Sequence, residues 1–259
     1  SAQEVALAAS DAGAGLAAIS YTVDGGPVET YSGPFSVGGE GSHLVTYWAT
    51  DAAGNAETPR QGYVNIDTTP PSVASDADTA WHKSAVTVHL NGTDAGGSGL
   101  AATQYRPAGT SDWQPAAGHA FSVPAPAGGG NDGAHSYELR ALDGAGNASP
   151  LATCTVKIDT TAPQTTATGL AADAISAWHT SAQEVALAAS DAAAGLAAIS
   201  YSVDGGPVET YSGPFSVAGT GQHPVEYWAT DALGNVSAHT TGWVNISNPY
   251  AQAGGEGVT

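Results

Sequence analysis

Apolar and polar residues alternate with period two along short runs, and clusters of Gly, Asp, Asn and Ser separate the runs. The clearest run covers 135–142, where Tyr137, Leu139 and Ala141 fall on one side and Glu138 and Arg140 on the other. Such alternation predicts strands with one buried and one solvated face. Residues 67–158 then hold strand A after Pro71, strand B through Val86, Val88 and Leu90, and strand C from Leu100 to Arg106. Strand C′ lies near Trp113, E at Phe121–Val123, F at His135–Leu142 and G at Cys154–Ile158. Asp24-Gly25 and Asp204-Gly205 predict tight C to C′ turns, since Asp and Gly tolerate positive φ.

The chain repeats itself. Residues 1–66 recur at 181–246 with 51 of 66 positions identical, and 67–158 is a divergent relative with the same landmarks, so the order is A, B, A. Ile66-Asp67-Thr68-Thr69-Pro70 and Ile158-Asp159-Thr160-Thr161 mark the boundaries, because proline stops ladder pairing and stiffens a short connector. Domains are expected at 1–66, 67–158 and 159–247, with 248–259 a tail too small and polar to fold alone. Seven strands in roughly 90 residues is the size of an immunoglobulin or fibronectin type III sandwich, so the expected fold class is all-β, a tandem of such sandwiches. The segment before strand B in the third domain, 160–180, has no counterpart before Ser1. Either the chain starts inside a domain, or a neighbouring chain donates the missing A strand by β-augmentation.

Composition narrows the partners. Of 259 residues, 34 are Gly and 15 Pro, none is Met, and 24 Asp plus Glu face 5 Lys plus Arg, a formal charge of -19. That charge repels nucleic-acid phosphates and anionic lipid heads, and no apolar run reaches membrane-spanning length, so neither nucleic acid nor membrane insertion is expected. With no signal peptide and no initiating Met, the chain reads as a piece processed or excised from something longer. The lone Cys154 rules out an internal disulfide framework and a thiolate zinc cage, and its parity in strand G makes it a buried, inert thiol.

The combination of Ser10-Asp11 or Ser190-Asp191 with a following Gly-Leu, the Tyr-x-x-Asp-Gly-Gly run, Phe-Ser-Val, the Asp-x-x-Gly-Asn turns ending at Asn55, Asn147 and Asn235, and the Ile-Asp-Thr-Thr linkers resembles the bacterial immunoglobulin-like repeats of secreted, cell-surface proteins. The resemblance spans nearly the whole chain. It implies an extracellular stalk, adhesin or accessory module, and repeats of this type also flank secreted hydrolases.

Sandwich topology brings the incoming linker, the B–C loop and the F–G loop to one pole. In the second domain this gathers Asp67, Asp94, Asp143 and Asn147, and in the third Asp159, Asp191, Asp231 and Asn235, whereas the first keeps Asp11, Asp51 and Asn55. Three carboxylates and an amide oxygen from separate loops are ligands that Ca²⁺ takes, and an ion there stiffens the junction. Asx-turns alone also account for Asp and Asn at these positions, with no metal.

No G-x-S-x-G, H-E-x-x-H or phosphate loop occurs, so an enzyme is not expected. His43, His135 and His223 hold one equivalent position, which predicts a structural hydrogen bond to a turn. Trp81 and Trp178 precede strand B and are expected to cap the core, while Trp48 and Trp228 point outward from strand F, where they can stack on a sugar or a partner protein. The expected function is a non-catalytic extracellular stalk or fibre subunit, secreted or at the cell surface, that meets other copies of itself or a surface protein or glycan. The alternative is a glycan- or protein-binding module attached to a larger secreted enzyme.

Overall fold

The computed structural model describes residues 1–247, so the tail expected at 248–259 lies outside the described residues. They form two compact units, the first made of residues 1–77, 88–121 and 136–154, the second of 78–87, 122–135 and those from 155 on. The sequence repeats at 1–66, 67–158 and 159–247 do not coincide with these units. The cut passes through the middle repeat and leaves one Ile-Asp-Thr-Thr linker inside each unit.

The first unit opens with β1 (Gln3–Val5), β2 (Leu16–Val23), β3 (Glu29–Thr30), β4 (Phe35–Val37), β5 (Gly41–Asp51) and β6 (Arg60–Ile66). One sheet runs β3-β2-β5-β6 and the other is the pair β1-β4. Between them Ile19, Val37, Val45 and Ile66 are buried, and Tyr21 stacks on Phe35 with centroids 3.9 Å apart. The turn after Val23 has φ of 51° at Asp24 and 71° at Gly25, with Gly26 N–H donating to the Val23 carbonyl at 2.9 Å. That is the tight turn the Asp-Gly pair predicts, and the β2–β3 ladder begins beyond it at Tyr21↔Glu29.

The middle repeat supplies β7 (Ser72–Ser75), β8 (Trp81–His82), β9 (Val86–Thr93), β10 (Leu100–Pro107), β11 (Gln114–Pro115), a 3₁₀ turn at Ala117–His119, β12 (Ala120–Val123), β13 (Gly133–Asp143) and β14 (Ala152–Ile158). Within the first unit β7 pairs β9, and β10 pairs both β11 and β13. On the solvated side of that ladder, Arg106 and Arg140 lie against the Trp113 ring at 4.4 and 4.3 Å.

In the second unit β14 pairs β8 in parallel. The third repeat contributes β15 (Gln164–Thr168), β16 (Trp178–His179), β17 (Gln183–Ser190), β18 (Leu196–Val203), β19 (Glu209–Thr210), β20 (Phe215–Val217), β21 (Gly221–Asp231) and β22 (Thr240–Ile246). Its two sheets, β15-β17-β20 and β16-β22-β21-β18-β19, enclose a core of Val185, Leu187, Ile199, Tyr201, Val225, Tyr227, Val244 and Ile246. The expected capping role of the tryptophans does not hold for Trp178, whose side is 48% exposed. Its segment is a short strand pairing with β22, so backbone bonding rather than core filling fixes its place.

Candidate metal centres

Each carboxylate is first held by its own loop. Asp143 Oδ1 accepts the N–H groups of Ala145 (3.0 Å) and Asn147 (2.7 Å), and its Oδ2 accepts the Asn147 amide at 2.7 Å. Asp231 repeats this with Leu233 and Asn235, as does Asp51 with Ala53 and Asn55. In the B–C loops, Asp94 Oδ1 takes Gly96 N–H, Asp191 Oδ1 takes Ala193 and Gly195 N–H, and Asp11 takes Gly13 and Gly15 N–H. These are Asx-type turns, and they explain why Asp and Gly alternate there.

The linker acids are held across loops instead. Asp67 accepts Thr69 N–H at 3.0 Å, Ser98 N–H at 2.8 Å and the Ser98 hydroxyl. These donors, the Ser98 hydroxyl foremost, pull its pKa down to about 2. A Cβ at Gly96 would collide with the Asp67 carboxylate, so only glycine fits. Asp159 accepts Thr161 N–H and Ala194 N–H, and the Asn147 and Asn235 amides donate to the backbone carbonyls of Asp67 and Asp159.

The result is two triads. Asp67, Asp94 and Asp143 place one carboxylate oxygen each within 4.8 Å of one another, and so do Asp159, Asp191 and Asp231. Asp143, Asp159 and Asp231 are 3%, 0% and 2% exposed. Asp94 Oδ2 is buried without a hydrogen-bond partner. Among the described residues no Lys, Arg or His pairs with any of the six. Lys83 instead reaches the carbonyls of Leu233 and Gly234 at 3.4 Å. Turn and linker hydrogen bonds reach Oδ2 as well as Oδ1 in Asp67, Asp143, Asp159 and Asp231, yet the three carboxylates of each set stay close together, and like charges at that spacing repel by on the order of a few kcal/mol per pair at an effective dielectric of about 20. The three carboxylate oxygens of each set lie close enough together that they could hold a metal ion, and carboxylate oxygens are among the ligands a hard divalent cation takes. In the first repeat the set is Asp11, Asp51 and Asn55, and it offers only two carboxylates.

A clamp beside each triad is not evident from sequence. The Glu40 carboxylate accepts Thr68 N–H (3.0 Å), Thr68 Oγ1 (2.7 Å) and Thr69 Oγ1 (3.0 Å). In the next linker Asp132 does the same for Thr160 N–H, Thr160 Oγ1 and Thr161 Oγ1. The signal available was an acid directly before the glycine that opens strand F, at 40 and 132; the third repeat has Thr220 there.

The equivalent histidines divide. His43 and His223 bond Asp24 and Asp204 of the hairpin turns at 2.8 and 2.9 Å, which raises both imidazole pKa values, whereas His135 bonds the Asn131 carbonyl. Trp228 is half-buried and stacks face to face on His239 with centroids 4.0 Å apart, so one face of the expected ligand platform is covered from within; Trp48 is also half-buried. Cys154 is free and buried, and burial pushes its thiol pKa up.

No protein-family model matches the chain, and no curated protein matches it. Among solved structures the chain is similar to the fibronectin(III)-like modules of Clostridium thermocellum CbhA, at 13% identity and a TM-score of 0.32 over 72% of this chain and 100% of that one. It is similar to the D00-D0 domain of intimin at 15% identity and a TM-score of 0.36, covering 66% and 98% of the two chains. For the chicken CNTN1 FN1-FN3 domains the identity is 10% and the TM-score 0.29, covering 88% and 91%. By its own strand order, the chain is all-β, a tandem of immunoglobulin/fibronectin type III-like sandwiches. No helix among the described residues is long and apolar enough to cross a membrane.

Proposed function

We propose that the chain is a non-catalytic, extracellular structural and adhesive array of the bacterial immunoglobulin-like repeat type, stiffened by Ca²⁺ at its two linkers. The observation that carries this reading is the recurrence, at each Ile-Asp-Thr-Thr linker, of a carboxylate triad that is half-buried to buried and has no cationic side chain paired with it among the described residues. In this reading Asp67, Asp94 and Asp143 hold one ion and Asp159, Asp191 and Asp231 another, each locking a linker to the loops beside it. Placement outside the cell agrees with the millimolar affinities that suffice for extracellular Ca²⁺ modules. The partners are other copies of the chain or a surface protein or glycan.

The test is thermal unfolding of chelator-stripped protein with increasing CaCl₂. An ion that binds only the folded chain stabilises it by about 2.7 kcal/mol at a hundredfold excess over Kd, so the midpoint rises with calcium. Identical midpoints in calcium and in chelator would rule the reading out.

A further inference from the structure

Basic residues are scarce in this chain, 5 against 24 acids, yet two of the five converge on one tryptophan. On the solvated face of the middle repeat the register sets Gln104 opposite Arg140 and Arg106 opposite Glu138. Trp113, just before β11, lies beside them, with the Arg106 and Arg140 guanidinium carbons 4.4 and 4.3 Å from its ring centroid. At the positions of Arg106 and Arg140 the first repeat has Thr22 and Trp48, and the third has Ser202 and Trp228. The cluster therefore belongs to the middle repeat alone.

The two arginines are not in the same state. Arg106 is neutralised, its Nε and Nη2 each 2.6 Å from Glu138 Oε2. Arg140 is half-buried and held in place by Trp113 and by Gln104, whose Oε1 accepts its Nε–H at 2.7 Å, but no carboxylate pairs with it. In the first unit it is the one Arg or Lys without an acidic partner among the described residues, since Arg60 pairs with Glu57 and Arg106 with Glu138. A partly desolvated charge kept without a counter-ion costs free energy that an arriving anion recovers. Its two Nη groups form a fork, oriented by the stack, that matches a carboxylate.

We infer that Arg140, Trp113, Gln104 and Glu138 form a binding site for a sugar that carries one carboxylate, a uronic acid residue at the end or branch of a glycan. The carboxylate takes the Arg140 fork. Gln104 Nε2 and Glu138 Oε1, which bond no other group among the described residues, supply one donor and one acceptor for ring hydroxyls. An extended peptide would add to a sheet edge through main-chain bonds, but β10 is already paired on both sides, by β11 and β13. A polyanion would lie along a surface with a formal charge of -19, whereas a single carboxylate meets Arg140 first, because charges farther off than about 8 Å are largely screened at physiological salt. The site gives the proposed glycan partner a chemistry, rests on that part of the reading alone, and owes nothing to the carboxylate triads.

The test titrates the ¹⁵N-labelled full chain with sodium glucuronate, glucose, acetate and an aspartate-rich peptide, in calcium and in chelator alike. Expected is a saturable shift of the Trp113 indole N–H with glucuronate that weakens with added salt, and binding at least about tenfold weaker for glucose, which lacks the carboxylate, and for acetate, which lacks the ring. Arg140→Gln, and separately Gln104→Ala, weaken glucuronate binding by at least about tenfold while the remaining amide resonances keep their positions. The inference is overturned if millimolar glucuronate leaves the Trp113 signal unmoved, if acetate binds as well as glucuronate, or if Arg140→Gln binds unchanged. Tighter binding of the peptide than of glucuronate overturns it too and makes this face a protein contact. Unfolding midpoints that ignore calcium, with glucuronate binding intact, remove the triad reading and leave this site standing.

Discussion

Glu40 binds Thr68 across 28 residues of sequence, taking both its backbone N–H and its hydroxyl on one carboxylate. The contact joins the loop before β5 to the linker. Hydrogen bonds to a charged acceptor contribute more than neutral ones, so Glu40→Ala is expected to destabilise the first unit by about 1–2 kcal/mol. Urea unfolding with an unchanged m-value checks this. Glu40→Thr, which installs the residue found at 220, should lose as much.

Asp191 uses only Oδ1 in its turn, so Asp191→Asn keeps the acceptor for Ala193 and Gly195 N–H while removing one charge from the triad. In chelator the variant relieves repulsion and should be more stable than the parent by about 1 kcal/mol. In calcium the order reverses, because the parent gains an ion that the variant holds poorly. Paired calorimetric scans give the sign in each condition.

His43 and His223 titrate above the ordinary imidazole value because Asp24 and Asp204 bond the charged ring. A raised folded-state pKa gives stability that is fully present below about pH 6.5, the unfolded value, and is lost as pH rises through the folded one. The unfolding midpoint is therefore expected to fall on the alkaline side of that range. Asp24→Asn with Asp204→Asn should flatten this slope, and NMR titration of the ring protons should show both pKa values returning toward the ordinary value.

Gly242 lies against Leu170, whose Cδ1 a Cβ there would approach to 2.7 Å. Gly242→Ala drives a methyl into Leu170, an overpacking expected to cost about 1–3 kcal/mol. Leu170→Ala should destabilise the third repeat by about 2–3 kcal/mol and leave the first untouched. Hydrogen exchange on each variant locates the change.

The sequence carried the strands because period-two alternation is a direct image of a half-buried sheet, as at Tyr137, Leu139 and Ala141. It also placed Asp67, Asp94 and Asp143 in one neighbourhood, since sandwich connectivity decides which loops share a pole. The clamps were hidden because Glu40 and Asp132 differ in type and sit in loops of different length. The two-residue strands at Trp81 and Trp178 are too short for any period to show. His239 over Trp228 arises from packing between distant positions, where no local pattern exists.

Identity of sequence between the first and third repeats does not mean identity of constraint. Thr220 stands in the third repeat where the first has Glu40 and the middle repeat Asp132, so the carboxylate that fastens a linker's threonine pair is found in the two repeats that run into an Ile-Asp-Thr-Thr linker. A linker fastened at both threonines hands an applied pull to the loop beside it instead of stretching first.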